Sequence, residues 1–107
     1  MQHAVPEELL PLVGGFLRGR LAEITVLREA LRRHDFETVK LLGHRLKGNG
    51  ASFGFPLLSD MGADLEASAL IGNGREGLQL VEDLEKMVKR FQIGFHEDME
   101  LRRKNLK

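Results

Sequence analysis

Apolar residues recur along this chain at intervals of three and four, the spacing of one helix face, and nowhere alternate over the length of a strand. Pro6 sits well in the first turn of a short opening helix carrying Leu9, Leu10, Val13, Phe16 and Leu17, and Pro11 marks a kink or a restart. A second segment, about 20 to 33, places Leu21, Ile24, Leu27, Ala30 and Leu31 near one stripe and stops at His34. Asp35 is a good N-cap for a third helix over roughly 36 to 53, with stripe Phe36, Val39, Leu42, Leu46 and Phe53; Gly54 fits a left-handed C-terminal cap. Pro56 starts a fourth helix, about 56 to 70, using Leu57, Leu58, Met61, Leu65 and Leu70, which the Gly72-Asn73-Gly74 turn ends. A long fifth helix runs from about 75 into the high 90s on Leu78, Val81, Leu84, Met87 or Val88, Phe91 and Phe95, fraying near Asn105.

Four amphipathic helices joined by short links predict an all-α protein: an antiparallel up-down-up-down four-helix bundle, with the opening helix as a short additional N-terminal helix over one end. No repeat, linker or low-complexity tract interrupts the pattern, so residues 1–107 read as one domain.

Composition removes several function classes. Sixteen Lys+Arg balance sixteen Asp+Glu, so no whole-domain field draws the chain to nucleic acid or anionic lipid, and Arg102-Arg103-Lys104 is too short a basic end to alter that. Without cysteine there is no disulfide framework, thiolate zinc site or cysteine nucleophile, which fits a reducing compartment. No apolar run approaches the ~20 residues that span a bilayer, and the start lacks a basic region followed by an apolar one. A cytoplasmic protein is expected.

The chemistry concentrates in His44-Arg45-Leu46-Lys47-Gly48-Asn49-Gly50-Ala51-Ser52-Phe53-Gly54. On a helix, His44 lies about 160° from Leu42 and Leu46, so its imidazole points away from the apolar stripe. Lys47, about 60° around and one turn on, brings an ammonium beside it; Gly48, about 40° to the other flank, leaves it uncovered. Helix-interior glycine costs roughly 1 kcal/mol relative to alanine, so Gly43, Gly48 and Gly50 make this helix intrinsically poor and ask for a reason. Close approach by a partner supplies one. Glu37, Lys40, Leu41, Ala51 and Ser52 lie within about 80° of His44, where an exposed leucine beside small residues offers a docking surface.

His44-x-Leu46-Lys47-Gly48, then Gly54, then Leu65-Glu66 in the next helix, resembles the histidine-containing phosphotransfer (HPt) domain of multistep two-component relays. The resemblance covers nearly the whole chain, including the Leu10 to Leu17 opening segment and His34-Asp35 before the site helix. Gly43 departs from it, standing where the family commonly has alanine, and with Gly50 is read as loosening the site helix. The resemblance implies a phosphocarrier that accepts a phosphoryl group on His44 from a receiver-domain aspartate, through the outer ring nitrogen, and passes it to another receiver. Near neutrality an ordinary imidazole is largely an unprotonated nucleophile, and in-line transfer asks the protein mainly for positioning and charge compensation, the part expected of Lys47. Receiver domains of response regulators and hybrid histidine kinases are the implied partners, with no nucleic acid or membrane, and the chain is expected to be monomeric. Magnesium and the acidic pocket belong to the receiver; the chain needs no cofactor.

Other residues read more plainly. Gly54 is a structural cap, Leu65-Glu66 holds the bundle, and Asn49, about 140° from His44 toward the core, is a satisfied polar group near a helix crossing. His3, His34 and His96 have no i,i+4 partner, HExxH pattern or nearby cysteine, so they are surface histidines and no metal site is expected. Gly72-Asn73-Gly74 lacks the Lys-Ser/Thr of a phosphate-cradling loop, and Glu82-Asp83 and Glu97-Asp98 diverge around a helix. The chain is therefore not expected to be an enzyme or to bind ATP. The alternatives are an HPt-like adaptor that binds receivers or other proteins without carrying phosphate, a plain structural bundle, and, more remotely, a sensor-kinase dimerisation domain, whose acidic residue and Arg/Thr-Pro pattern after the histidine are absent.

Overall fold

The computed structural model describes residues 5–105, so His3 lies outside the described residues. Four helices, α1 (Leu10–Arg32), α2 (Phe36–Asn49), α3 (Pro56–Leu70) and α4 (Gly74–Asn105), are accompanied by 3-10 turns at Glu7–Leu9 and Ala51–Phe53; the described residues contain no strand.

The expected opening helix and the segment about 20 to 33 prove to be one helix, so among the described residues there is no separate N-terminal α-helix over the bundle's end. Pro11 falls within the first turn of α1, where an amide has no intrahelical acceptor, and there a proline starts a helix without interrupting it. From that point one stripe buries Val13, Phe16, Leu17, Ile24, Leu27, Ala30 and Leu31.

The third helix is also shorter than expected. It ends at Asn49, and residues 51–53 tighten into a 3-10 turn closed by Gly54 in the left-handed region (φ 91°). Ser59 supplies the reason. Its hydroxyl accepts the Ala51 amide at 2.7 Å, drawing off a donor that a continued helix would spend on its own backbone.

Both remaining links use the same device. After α1, the His34 amide bonds the Leu31 carbonyl and the Asp35 amide the Ala30 carbonyl; after α3, Gly72 and Asn73 bond Ala69 and Ser68 in the same register. This paired closure needs a left-handed residue, which is Gly72 (φ 66°) in one link and His34 (φ 58°) in the other. Asp35 then caps α2, accepting from the Thr38 amide (3.2 Å) and hydroxyl (2.6 Å). These bonds, the hydroxyl's first, hold its carboxyl below the usual range.

Phe55, Leu17, Ile24, Leu27, Leu58, Leu65, Leu84, Val13, Val39, Val81 and Val88 are fully buried. At one end of this core Phe16 stacks on Phe53 (4.2 Å between centroids) and Phe55 tilts against Phe91 (4.8 Å). Three residues assigned to apolar stripes, Leu57, Leu70 and Leu78, are instead exposed. The α3 stripe that is buried, Leu58, Gly62, Leu65, Ser68 and Ala69, is largely small, so large side chains alone misplace its face.

Arg28 of α1 pairs with Glu85 of α4, and Glu7 with Arg102 at 3.0 Å. At 32 residues α4 dominates the shape, whose principal extents are 53 × 19 × 18 Å. Among the described residues no helix is long and apolar enough to cross a membrane.

Candidate functional site

Helix α2 divides its residues sharply. Val39, Leu42, Gly43 and Leu46 are buried, whereas Leu41, His44, Arg45, Lys47 and Gly48 are exposed. The His44 side chain is 67% exposed and that of Lys47 53%, on the outward face where the helical phase places them.

One residue of α3 reaches both. Glu66, partly buried at 22% side-chain exposure, sets Oε2 3.0 Å from His44 Nδ1 and Oε1 3.5 Å from Lys47 Nζ. A carboxylate only accepts, so a neutral imidazole satisfies this contact as the tautomer with its proton on Nδ1. The lone pair then sits on Nε2, the nitrogen turned away from Glu66.

The expectation for Leu65-Glu66 therefore divides. Leu65 is fully buried and holds the bundle, but Glu66 faces the imidazole. Sequence reasoning missed Glu66 because 22 residues and a helix boundary separate it from His44. The usable signals were its place in the Leu65-Glu66 pair that carries the resemblance and its position in α3, one turn beyond Gly62 on the small-residue face.

Gly43 needs a correction too. It is buried against α3: a Cβ built there would lie 2.8 Å from the Glu66 amide nitrogen and 2.9 Å from the Gly62 carbonyl oxygen. A Cβ on Gly62 would come within 2.4 Å of the Lys47 amide nitrogen. These glycines let two helix backbones touch and tie the site helix down, the opposite of loosening it. Gly48 differs, since a Cβ there would meet nothing within 4 Å. Nothing in the chain's own packing requires a glycine at that position.

A shallow concavity beside the imidazole is lined by Glu37, Thr38, Lys40, Leu41, His44 and Glu66. Lys40 lies 3.7 Å from Glu37, and Leu41 is 48% exposed. Ala51 and Ser52 do not line it; both are exposed on the 3-10 turn beyond Gly48, where the Ser52 hydroxyl points to the Gly48 carbonyl at 3.4 Å. The candidate docking residues thus form two groups, one on α2 before His44 and one on the 3-10 turn after it.

Asn49 is not the satisfied group expected, for its Oδ1 is buried without a partner. The amides that follow it in sequence are already engaged, Gly50 with the Leu46 carbonyl and Ala51 with the Ser59 hydroxyl. His34 sets its ring edge-on to Phe36, and His96 lies 4.0 Å from Glu100. Among the described residues no three His, Cys, Asp or Glu side chains gather as metal ligands.

No curated protein and no solved structure matches the chain. The family model described as Hpt domain matches residues 12–94, a span that holds His44, Lys47, Gly48 and Glu66 together with the helices that position them. The chain belongs to the Hpt domain family, whose members meet receiver domains in phosphorelays, and that membership gives it a phosphotransfer-related role in two-component signalling.

Proposed function

We propose that the chain is a phosphocarrier, taking a phosphoryl group onto His44 from a receiver-domain aspartate and handing it to another receiver. The observation that carries this reading is the pairing of Nδ1 with Glu66 on a side chain 67% exposed, which turns the free lone pair of Nε2 outward. In the transfer the bond from phosphorus to the aspartyl oxygen breaks as a bond from phosphorus to Nε2 forms, and the aspartate leaves as a carboxylate. The ring becomes cationic as this happens. The Nδ1–H stays where it is, and the Glu66 carboxylate stabilises the positive charge developing behind it. Lys47 swings from Glu66 to the equatorial phosphoryl oxygens, and the open surface at Gly48 admits the receiver's loops.

In this reading the bundle runs up-down-up-down, as the Arg28–Glu85 and Glu7–Arg102 pairs favour, and 1–107 is a single monomeric domain of the cytoplasm. It has no enzyme activity of its own and needs no cofactor, the magnesium ion being the receiver's. Glu37, Lys40, Leu41, Ala51 and Ser52 form the rim on which the receiver rests.

Incubating the chain with a phosphorylated receiver domain and magnesium tests this. Acid-labile, base-stable phosphate should appear on His44, and His44→Gln, which changes an exposed side chain and should fold normally, should accept none. Label on His3, His34 or His96, or undiminished label in the variant, overturns the assignment. Receiver binding with no phosphate gained establishes the adaptor instead.

A further inference from the structure

The outer face of α4 carries charges that exchange sign about a single apolar residue. At 100° per residue, Glu82, Lys86, Lys89, Glu97, Glu100 and Lys104 all lie within about 40° of Ile93. Lys89 and Glu97 stand four residues to either side of Ile93, Lys86 and Glu100 seven, and Glu82 and Lys104 eleven. Each of these pairs joins a base to an acid. The stripe is turned away from the core, since Val81, Leu84 and Val88 are buried on the opposite side of the helix. Ile93 is 62% exposed, and a shallow depression lined by Lys89, Gln92, Ile93, His96 and Glu97 marks the middle of the stripe. The other stripe residues are exposed too, except Glu100, which is half-buried.

We propose that this face of α4 is a self-association surface, on which two copies of the chain pair antiparallel about Ile93. When a second copy is turned end for end at that residue, each position before Ile93 lies level with the position equally far after it in the other helix. Lys86 and Lys89 of each copy then face Glu100 and Glu97 of the second, Glu82 faces Lys104, and the two isoleucines meet at the axis. The two-fold makes every pair twice and closes the assembly at two chains. A parallel pair would instead set Lys89 against Lys89 and Glu97 against Glu97. Lys89 lies 3.4 Å from Glu85 and Glu100 2.6 Å from Arg103 within one chain, surface pairs that exchange partners readily, and among the described residues Lys86 and Glu97 have no ion pair.

From Glu82 to Lys104 is about 33 Å of helix, a single strip well short of the ~800 Å² per partner of a standard interface. Pairing is therefore weak and salt-sensitive, and the chain is a monomer when dilute. Helix α4 packs against α1 and α3, as α2 does, so its outer face lies across the bundle from His44. The pair leaves both His44 side chains open, and it does not depend on the phosphocarrier reading.

Sedimentation velocity of the full chain, over a series from micromolar to millimolar, tests this. Mass should rise from that of one chain toward that of two, and less so at high salt. Lys86→Glu with Lys89→Glu, or Glu97→Lys with Glu100→Lys, sets like charges face to face and should weaken pairing roughly tenfold or more. All four changes in one chain restore the complementarity at unaltered net charge, so that variant should pair again. Ile93→Glu, which meets its own copy at the axis, should not pair. The residues changed are exposed or half-buried, and circular dichroism should show each variant folded. A wild type that stays monomeric through the millimolar range, a dimer indifferent to these changes, or a fourfold variant that fails to pair overturns the proposal. Transfer from a phosphorylated receiver should match wild type in every variant; a loss would make a receiver, and not a second copy, the occupant of this face. If no chain accepts phosphate while pairing follows the charges as stated, the phosphocarrier reading fails and this inference stands.

Discussion

Glu66 follows His44 by 22 positions in sequence and lies 3.0 Å from its Nδ1 in space. The same carboxylate is 3.5 Å from Lys47, so the two groups of α2 with the clearest chemical prospects are both held by one side chain of α3. Removing either partner frees the carboxylate for the other, which makes the three residues a coupled unit whose variants should not combine additively.

Lys47→Ala should slow phosphoryl transfer to His44 by a factor of roughly 10, if one exposed charge-assisted contact contributes about 1 to 2 kcal/mol in the transition state. Thermal stability should barely change. The His44 tautomer should hold, because Glu66 keeps its bond to Nδ1. Stopped-flow transfer rates equal to wild type would show Lys47 to be a solvated charge.

Gly48→Gln places a side chain in open space and improves helix propensity by up to about 1 kcal/mol, so the melting temperature should hold or rise. Transfer from a receiver should fall steeply, while labelling by the small donor phosphoramidate falls much less. Equal losses would assign Gly48 to the imidazole's own geometry; no loss would remove this face from the docking surface.

His34→Gly should stabilise the domain by about 0.5 to 1 kcal/mol, since an L-residue held in the left-handed region costs roughly 1 to 2 kcal/mol. The gain is reduced by the lost ring edge against Phe36. The converse change, Gly72→Ala, should cost about 1 kcal/mol. Urea midpoints with unchanged slopes give both values, and a His34→Gly midpoint below wild type would mean that the ring contact outweighs the backbone strain.

Acid should weaken the fold through Asp35 and Glu85. Asp35 is held below its ordinary range by the Thr38 hydroxyl and amide, and Glu85 by its bond to Arg28, with Lys89 adding to it. A carboxyl depressed in the folded state contributes stability that is complete above its unfolded value, near pH 4, and is lost as pH falls through the folded one. The urea midpoint should therefore decline below about pH 4, and Asp35→Asn should flatten part of that decline. Identical pH profiles for variant and wild type would leave the cap without a share in it.

Helix ends marked by their own residues were legible in the sequence: Asp35 before α2, Gly54 after the 3-10 turn, Pro56 at α3 and Gly72 after it. Pro11 was not, because a proline within a first turn and one that breaks a helix look alike until the start of the helix is known. Phe55 went unassigned between two segments, yet it is fully buried in the aromatic cluster. For the candidate site, the exposed face of α2 followed from period alone, which puts His44, Lys47 and Gly48 outward. What period cannot carry is a relation between helices. Glu66 beneath His44 and Gly43 against Gly62 both depend on how close α2 and α3 lie, and that distance is written jointly by glycines on two segments.

A body of 53 × 19 × 18 Å is nearly three times as long as it is wide, and a 32-residue helix of about 48 Å fits only along its length. Such a rod tumbles anisotropically in water. The amide bonds of α4 lie close to the long axis, so their nuclear relaxation reports mainly the slow end-over-end tumbling and should differ from that of any link amides that point across it. A receiver seated at His44, partway along the flank, would thicken the short dimensions far more than the long one. Docking should therefore register as a convergence of relaxation rates between α4 and the links, without a label at the site and whether or not phosphate moves.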